Sequence, residues 1–191
     1  SERMKGDSVV TIQIKAKEYK NQVLYFDYPP FIYVGIDINL DSNGIGSFKI
    51  ILRKKIFGYL YFKRKKLSLY LDFGYDLFLN ADKGNFSFSG NGSAVNNYLI
   101  KSQELLNQLD DSVATIEDLL TGTDKVIRFT NLCQSEIDDL YKKNYNSIMP
   151  DKELDYLLRA STLASILKKK EIYVYTNFEQ KEIDSLNLDN K

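Results

Sequence analysis

The spacing of apolar residues changes once along this chain, and that change decides its fold class. From Val9 to Ser89 apolar side chains recur at every second position, in short segments rich in β-branched and aromatic residues. This is the pattern of half-buried antiparallel strands. In "VVTIQIKA", Val10, Ile12 and Ile14 face one way and Thr11, Gln13 and Lys15 the other. "VLYFD" and "FIYVGIDINL" follow, separated by Pro29 and Pro30, which mark a loop or an edge because proline cannot donate to a central ladder. "DSNGIG" reads as a hairpin turn, with Asn43-Gly44 suited to positive φ. "SFKIILR", "FGYLYFK", "KLSLYLDF" and "YDLFLNA" then recur at intervals of about ten residues, as in a β-sandwich or barrel.

After Ser89 the spacing becomes helical. Leu99, Leu105, Leu106 and Leu109 mark a first helix, and Val113, Ile116, Leu119 and Leu120 a continuation or a second. Another begins at Thr121 to Asp124, where Gly122 breaks the chain and Thr or Asp can cap free amides. Its stripe is Val126, Cys133, Ile137 and Leu140. Pro150 and Asp151 open a last helix with Leu154, Leu157, Ala160, Ala164 and Leu167 on one face, proline being favoured in a first turn. For the tail after Lys170, "EIYVYTNFEQ", helix is preferred over an extended segment. The expected fold is α+β: an N-terminal antiparallel β-sandwich or open barrel over residues 1–92, then a helical region over residues 93–191.

Composition then removes whole classes of chemistry. The chain has no histidine and a single cysteine, Cys133. Ser-His-Asp and Cys-His pairs, histidine metal sites, an intrachain disulfide and a Cys-x-x-Cys pair are therefore excluded within it. The 26 basic and 26 acidic residues cancel, so no global field gathers nucleic acid or an anionic membrane. No apolar run approaches the roughly 18 residues that span a bilayer. Both ends, "SERMKG" and "LNLDNK", are abrupt, and the expectation is a piece cut from a longer protein.

Each remaining candidate site meets a plainer reading. Asp37, Asn39, Asp41 and Asn43 alternate as in a calcium loop, but counted from Asp37 the sixth position is Ser42 and the twelfth Phe48, where glycine and a closing carboxylate are required. Cys133 falls on an apolar helix stripe and reads as a core residue. Asp110-Asp111 and Asp138-Asp139 are adjacent on helices and diverge by about 100°, so neither pair converges on a substrate. The basic runs at Arg53-Lys54-Lys55 and Lys63 to Lys66 fall at strand ends, where lysine discourages edge aggregation, and Lys168 to Lys170 on a helix. The tyrosines of "YLYF" and "LYLDFGYDLF" are ordinary strand residues with a wet end, or a platform on which sugars stack.

The junction "FSFSGNGSAVNNYLIKSQELL", Phe86 to Leu106, carries the change of period. Gly90 and Gly92 can reach positive φ, and Ser93 or Asn96 can cap the following helix, whose apolar face begins at Tyr98 and Leu99. The stretch resembles the strand-to-helix junction in the N-terminal region of Bacteroidetes thiol-disulfide oxidoreductases of the TlpA/ResA type, where a pattern like F-x-G-x-G-x-x-x-N-x-Y-L recurs. The matching positions are Phe88, Gly90, Gly92, Asn96, Tyr98 and Leu99. Upstream, "LDSNGIGSFKI" resembles the family's hairpin and Phe-containing strand, and "KLSLYLDFGYDLFLNAD" its strand, turn and strand. Phe73-Gly74-Tyr75-Asp76 stands where many members have Pro-Gly-Asp. The resemblance spans Val9 to Leu106.

The resemblance implies a non-catalytic N-terminal region that precedes a thioredoxin-like domain with Cys-x-x-Cys, and that positions this domain or recognises its client. It also implies export to the cell envelope, often with a lipid anchor before Ser1. It carries over no catalytic, cofactor-binding or metal residue. Two other readings stand beside it: a stand-alone envelope binding module, for glycan through the tyrosine-rich face, and, ranked last, an enzyme working with carboxylates alone.

Overall fold

The computed structural model describes residues 9–28, 35–63, 65–113 and 122–177. Among them lie eight strands: β1 (Val9–Ala16), β2 (Val23–Asp27), β3 (Ile36–Asn39), β4 (Ile45–Ile51), β5 (Ile56–Phe62), β6 (Lys65–Leu71), β7 (Asp76–Asp82) and β8 (Asn85–Asn91). Three helices follow: α1 (Ser93–Val113), α2 (Gly122–Ile148) and α3 (Lys152–Asn177). The architecture is α+β. Two compact units, Ser1–Ile100 and Lys101–Lys191, divide inside α1, so the first two turns of that helix belong with the strands, eight residues beyond the expected boundary at 92/93.

In the first unit the strands form two four-stranded sheets, ordered β4-β1-β7-β8 and β3-β2-β5-β6. They share one core, and the sheets are not closed into a barrel. Alternation along each strand sends Ile12 and Ile14, Leu24 and Phe26, Leu60 and Phe62, Leu67 and Leu69, and Leu77 and Leu79 inward. A fully buried aliphatic or phenyl side chain contributes about 1.5–3 kcal/mol, so this interior is the main stabilising term. One pairing departs from the antiparallel expectation. β1 runs parallel to β7, with Ile12 opposite Leu77 and Ile14 opposite Leu79, because the chain leaves β4 on one side of β1, completes the second sheet with β5 and β6, and re-enters the first sheet on the other side of β1.

The "DSNG" turn joins two sheets rather than the arms of one hairpin, since β4 and β3 are edge strands of different sheets. Asp41 N–H donates to Ile45 O and Gly44 N–H to Asp41 O. Gly44 alone in the turn takes positive φ, at 75°, and a Cβ there would sit 2.5 Å from Ala16 O. A two-residue hairpin forms at "DKGN": Lys83 and Gly84 have φ of 47° and 80°, and Asp82 pairs with Asn85. That combination matches the right-handed twist of the strands it joins. Two turns that cross between sheets are tied by an ion pair from Lys55 Nζ to Asp72 Oδ2, 3.4 Å.

At the opposite side of the sandwich from "DSNG", the edges are β8 and β6, and the start of α1 bridges them. Asn96, fully buried, accepts from Tyr70 N–H through Oδ1 (2.8 Å) and donates from Nδ2 to Tyr70 O (3.0 Å) and Gly92 O (2.9 Å). Asn97 does the same to the other sheet: Oδ1 accepts from Phe88 N–H (2.7 Å) and Nδ2 donates to Phe88 O (2.9 Å). Each carboxamide presents one acceptor and one donor, as a neighbouring strand would. Both edges thereby gain a partner that cannot extend into aggregation. The expected cap at Asn96 is corrected by this geometry, because its side chain serves the β6 backbone instead of the helix amides.

In the second unit Leu106 and Leu109 of α1, Val126, Phe129, Cys133 and Ile137 of α2, and Ile166 of α3 form one core. Asp151 caps α3 by accepting from Leu154 N–H at 2.8 Å, and α3 continues helically past Lys170 to Asn177. The expected apolar face of α3 is corrected. Leu154, Leu158 and Ile166 are buried, whereas Ala160, Ala164 and Leu167 are exposed. The proposed elements over 114–121, the residues Pro29 and Pro30, and the chain after Asn177 lie outside the described residues.

Candidate functional site

The outward positions of the two sheets differ in character. On the β4-β1-β7-β8 sheet they are mixed: the polar Thr11, Gln13, Lys15, Ser47, Lys49, Ser87 and Ser89 stand among exposed Val9, Ile45, Ile51 and Phe78, the last its one outward ring among the described residues. On the β3-β2-β5-β6 sheet, strict alternation in "VLYFD" and "IFGYLYF" puts Tyr25, Phe57, Tyr59 and Tyr61 outward, all half-buried. Register assembles these into rows. Asp37, Tyr25, Tyr61 and Lys66 lie side by side across four strands, and Asp27, Tyr59 and Ser68 across three.

The rings are inclined to one another rather than coplanar. Tyr25 and Tyr61 have centroids 6.2 Å apart at 43°, and Phe57 and Tyr59 6.3 Å apart at 70°. Lys66 Nζ lies 3.5 Å from the Tyr59 centroid and 5.7 Å from that of Tyr61, a cation over two electron-rich faces. Gly35 runs against Tyr25: a Cβ there would come within 2.0 Å of a ring carbon, so a side chain at this position would have to displace the Tyr25 ring. Burial, then the Asp27 charge and the neighbouring Tyr59 and Tyr25, push the Tyr61 phenol above its ordinary value. Tyr61 is therefore a neutral hydroxyl at physiological pH. The face is acidic at the β2-β3 side and basic at β6, with aromatic edges between.

The remaining sequence candidates are dispersed. Asp37 and Asn39 are exposed on β3, while Asp41 Oδ1 accepts from Asn43 N–H and Ile45 N–H, both at 2.8 Å. Those two backbone donors hold the Asp41 carboxyl below the usual carboxylate range, which is turn chemistry. Cys133 is fully buried, so its thiol is sheltered from disulfide exchange. Asp138 accepts from Gln134 and Asp139 from Lys142, so the adjacent pair serves two different neighbours; the side chains of Asp110 and Asp111 lie outside the described residues. Lys65 Nζ donates to Gly84 O at 2.7 Å, a structural tie. Among the described residues no three Asp, Glu or Cys side chains gather as metal ligands would, and no helix is long and apolar enough to cross a membrane.

One polar cluster was not singled out by the sequence. Tyr141 of α2 donates its hydroxyl to Asp155 of α3, whose two carboxylate oxygens each lie 3.1 Å from Arg159 Nε. Arg159 also lies 5.1 Å over the Tyr141 ring. Burial, reinforced by the bond to Asp155, raises the Tyr141 phenol far above its usual range, and the same bond lowers Asp155. Only the Asp155–Arg159 spacing of four was legible in sequence. The cluster fastens α2 to α3, and its acid already accepts from both Tyr141 and Arg159.

All six residues of the junction resemblance have packing roles. Phe88, Tyr98 and Leu99 are buried, and Asn96 clamps β6. A Cβ at Gly90 would meet Asp76 O at 2.2 Å, and one at Gly92 the Tyr75 ring at 2.2 Å, with both glycines at positive φ. No protein-family model matches the chain, and no curated protein matches it at a significant level.

Proposed function

We propose that this chain is the non-catalytic N-terminal region of a cell-envelope thioredoxin-like thiol-disulfide oxidoreductase, and that it recognises the client protein on the aromatic outer face of the β3-β2-β5-β6 sheet. The observation that carries the recognition surface is the pair of cross-strand rows, Asp37-Tyr25-Tyr61-Lys66 and Asp27-Tyr59-Ser68. Tyrosine joins apolar area to a hydrogen-bonding tip at low entropic cost and is enriched where proteins bind proteins. Charges of opposite sign at the two sides of the strip would orient a polypeptide laid across it. The placement before a redox domain rests on the junction resemblance, and the non-catalytic reading on a chain without histidine whose one cysteine is buried.

The ring geometry favours a polypeptide over a glycan. Stacking on a pyranose needs an open, flat ring face, whereas Lys66 covers Tyr59 and the Tyr25 and Tyr61 rings are inclined to each other by 43°. The test is an NMR titration of the chain with disulfide-containing unfolded polypeptides and, separately, with a panel of oligosaccharides. Shifts at Tyr25, Tyr59, Tyr61 and Lys66 with polypeptide alone, abolished by Tyr59→Ser/Tyr61→Ser with the fold retained, are expected. Shifts with sugars only would convert the site to the glycan module. Steady disulfide turnover by the chain itself would overturn the non-catalytic reading.

A further inference from the structure

The face of α3 turned away from its core carries a second pattern. Tyr156 is 71% exposed, Leu163 51% and Leu167 52%, and Ala160 is exposed among them. Spacings of four, three and four make these alternate d and a positions of a heptad seam, on the far side of the helix from Leu154 and Leu158, with the buried Ile166 flanking it. Such a seam in water needs a partner, and the charges at its two ends say which. Continued by one position each way, the seam begins at Glu153 and ends at Lys170.

Laid antiparallel on itself, the seam matches a with d in every layer. Glu153 meets Lys170, Tyr156 meets Leu167 and Ala160 meets Leu163, and all three pairs are centred on the same point, between Ser161 and Thr162. Small faces large in the central layer, and acid faces base in the outer ones. A surface that is complementary to itself about one point is what a two-fold interface requires. A parallel pairing would instead stack Glu153 on Glu153 and Lys170 on Lys170. Antiparallel packing also sets each helix dipole against the opposite end of the other.

We propose that the chain forms a homodimer through antiparallel pairing of α3 with α3 of a second copy. The seam is short against interfaces that bury 1,200–2,000 Å² or more, so association is in the micromolar range and concentration-dependent, about 1–100 µM.

The test is sedimentation equilibrium of the full chain across that range. Dimer formation is expected, with Leu163→Lys shifting the population to monomer while the circular dichroism spectrum is kept. Glu153→Lys and Lys170→Glu should each weaken association about tenfold by placing like charges opposite each other, and the double swap should restore it. A monomer throughout, or a dimer indifferent to Leu163→Lys, would overturn the proposal. A double swap that fails to restore association would overturn the antiparallel arrangement.

Discussion

Asn96→Ala tests whether the junction holds the sandwich together. The substitution removes three hydrogen bonds, of 2.8, 3.0 and 2.9 Å, from a side chain that is fully buried. At about 1 kcal/mol net each they contribute about 3 kcal/mol, and depriving the Tyr70 backbone of its side-chain partner adds about 1 kcal/mol more. A loss of about 4 kcal/mol is a large share of the 5–15 kcal/mol typical of a domain. Asn97→Ala removes two bonds from a half-buried side chain. Water can reach the Phe88 backbone there, so its cost is about 1–2 kcal/mol. Because two compact units contribute to any bulk signal, amide hydrogen exchange is the suitable assay. The most protected sheet amides should exchange about a thousandfold faster in Asn96→Ala and about tenfold faster in Asn97→Ala. A loss below about 1 kcal/mol for Asn96→Ala, or equal losses for both variants, would refute the clamp.

Asn96→Asp keeps the shape but sets a carboxylate against Tyr70 O and Gly92 O, so its pKa in the folded state is raised above the unfolded value of about 3.9. The folded state then binds the extra proton, and stability should fall as pH rises from about 4 towards that raised value; a urea midpoint unchanged between pH 4 and pH 7 would contradict this. Gly74 and Gly90 share positive φ, but a Cβ at Gly74 meets nothing within 4 Å while one at Gly90 strikes Asp76 O. Gly74→Ala should therefore cost only the left-handed backbone term, about 1–2 kcal/mol, and Gly90→Ala clearly more; equal melting temperatures would be inconsistent with the close approach. Tyr141→Phe removes the donor to the partly exposed Asp155 and should cost about 1 kcal/mol. Since that bond lowers the Asp155 pKa, its stabilisation is present above the unfolded pKa and lost as pH falls through the folded one. The variant should lose part of this acid-side dependence in thermal melts, and an unaltered acid limb would count against the bond.

Much of the fold was legible because strand and helix are local periodicities. Each apolar segment from "VVTIQIKA" to "FSFSG" coincides at least in part with a described strand, and "NLCQSEI" placed Cys133 and Ile137 on a buried helix stripe. The stripe on α3 was misjudged because two apolar faces share that helix. Leu154, Leu158 and Ile166 compete with Tyr156, Leu163 and Leu167, and periodicity cannot say which set meets the core. At the aromatic outer face, alternation alone gave Tyr59 and Tyr61 a common side. It did not bring Tyr25 beside Tyr61 or Lys66 over Tyr59, because register between strands distant in sequence is a property of pairing.

From the sequence alone came the α+β class, the point where strands give way to helices, and the chemistry that a chain without histidine lacks. Those follow from side-chain alternation and composition, which act within a few residues. Tertiary structure alone decided that β1 pairs parallel to β7, that "DSNG" joins two sheets, and that neighbouring asparagines clamp the adjacent edges of the two sheets. In each case the outcome depends on how whole strands pair and stack, and it is chosen by which arrangement buries the inward residues of both sheets.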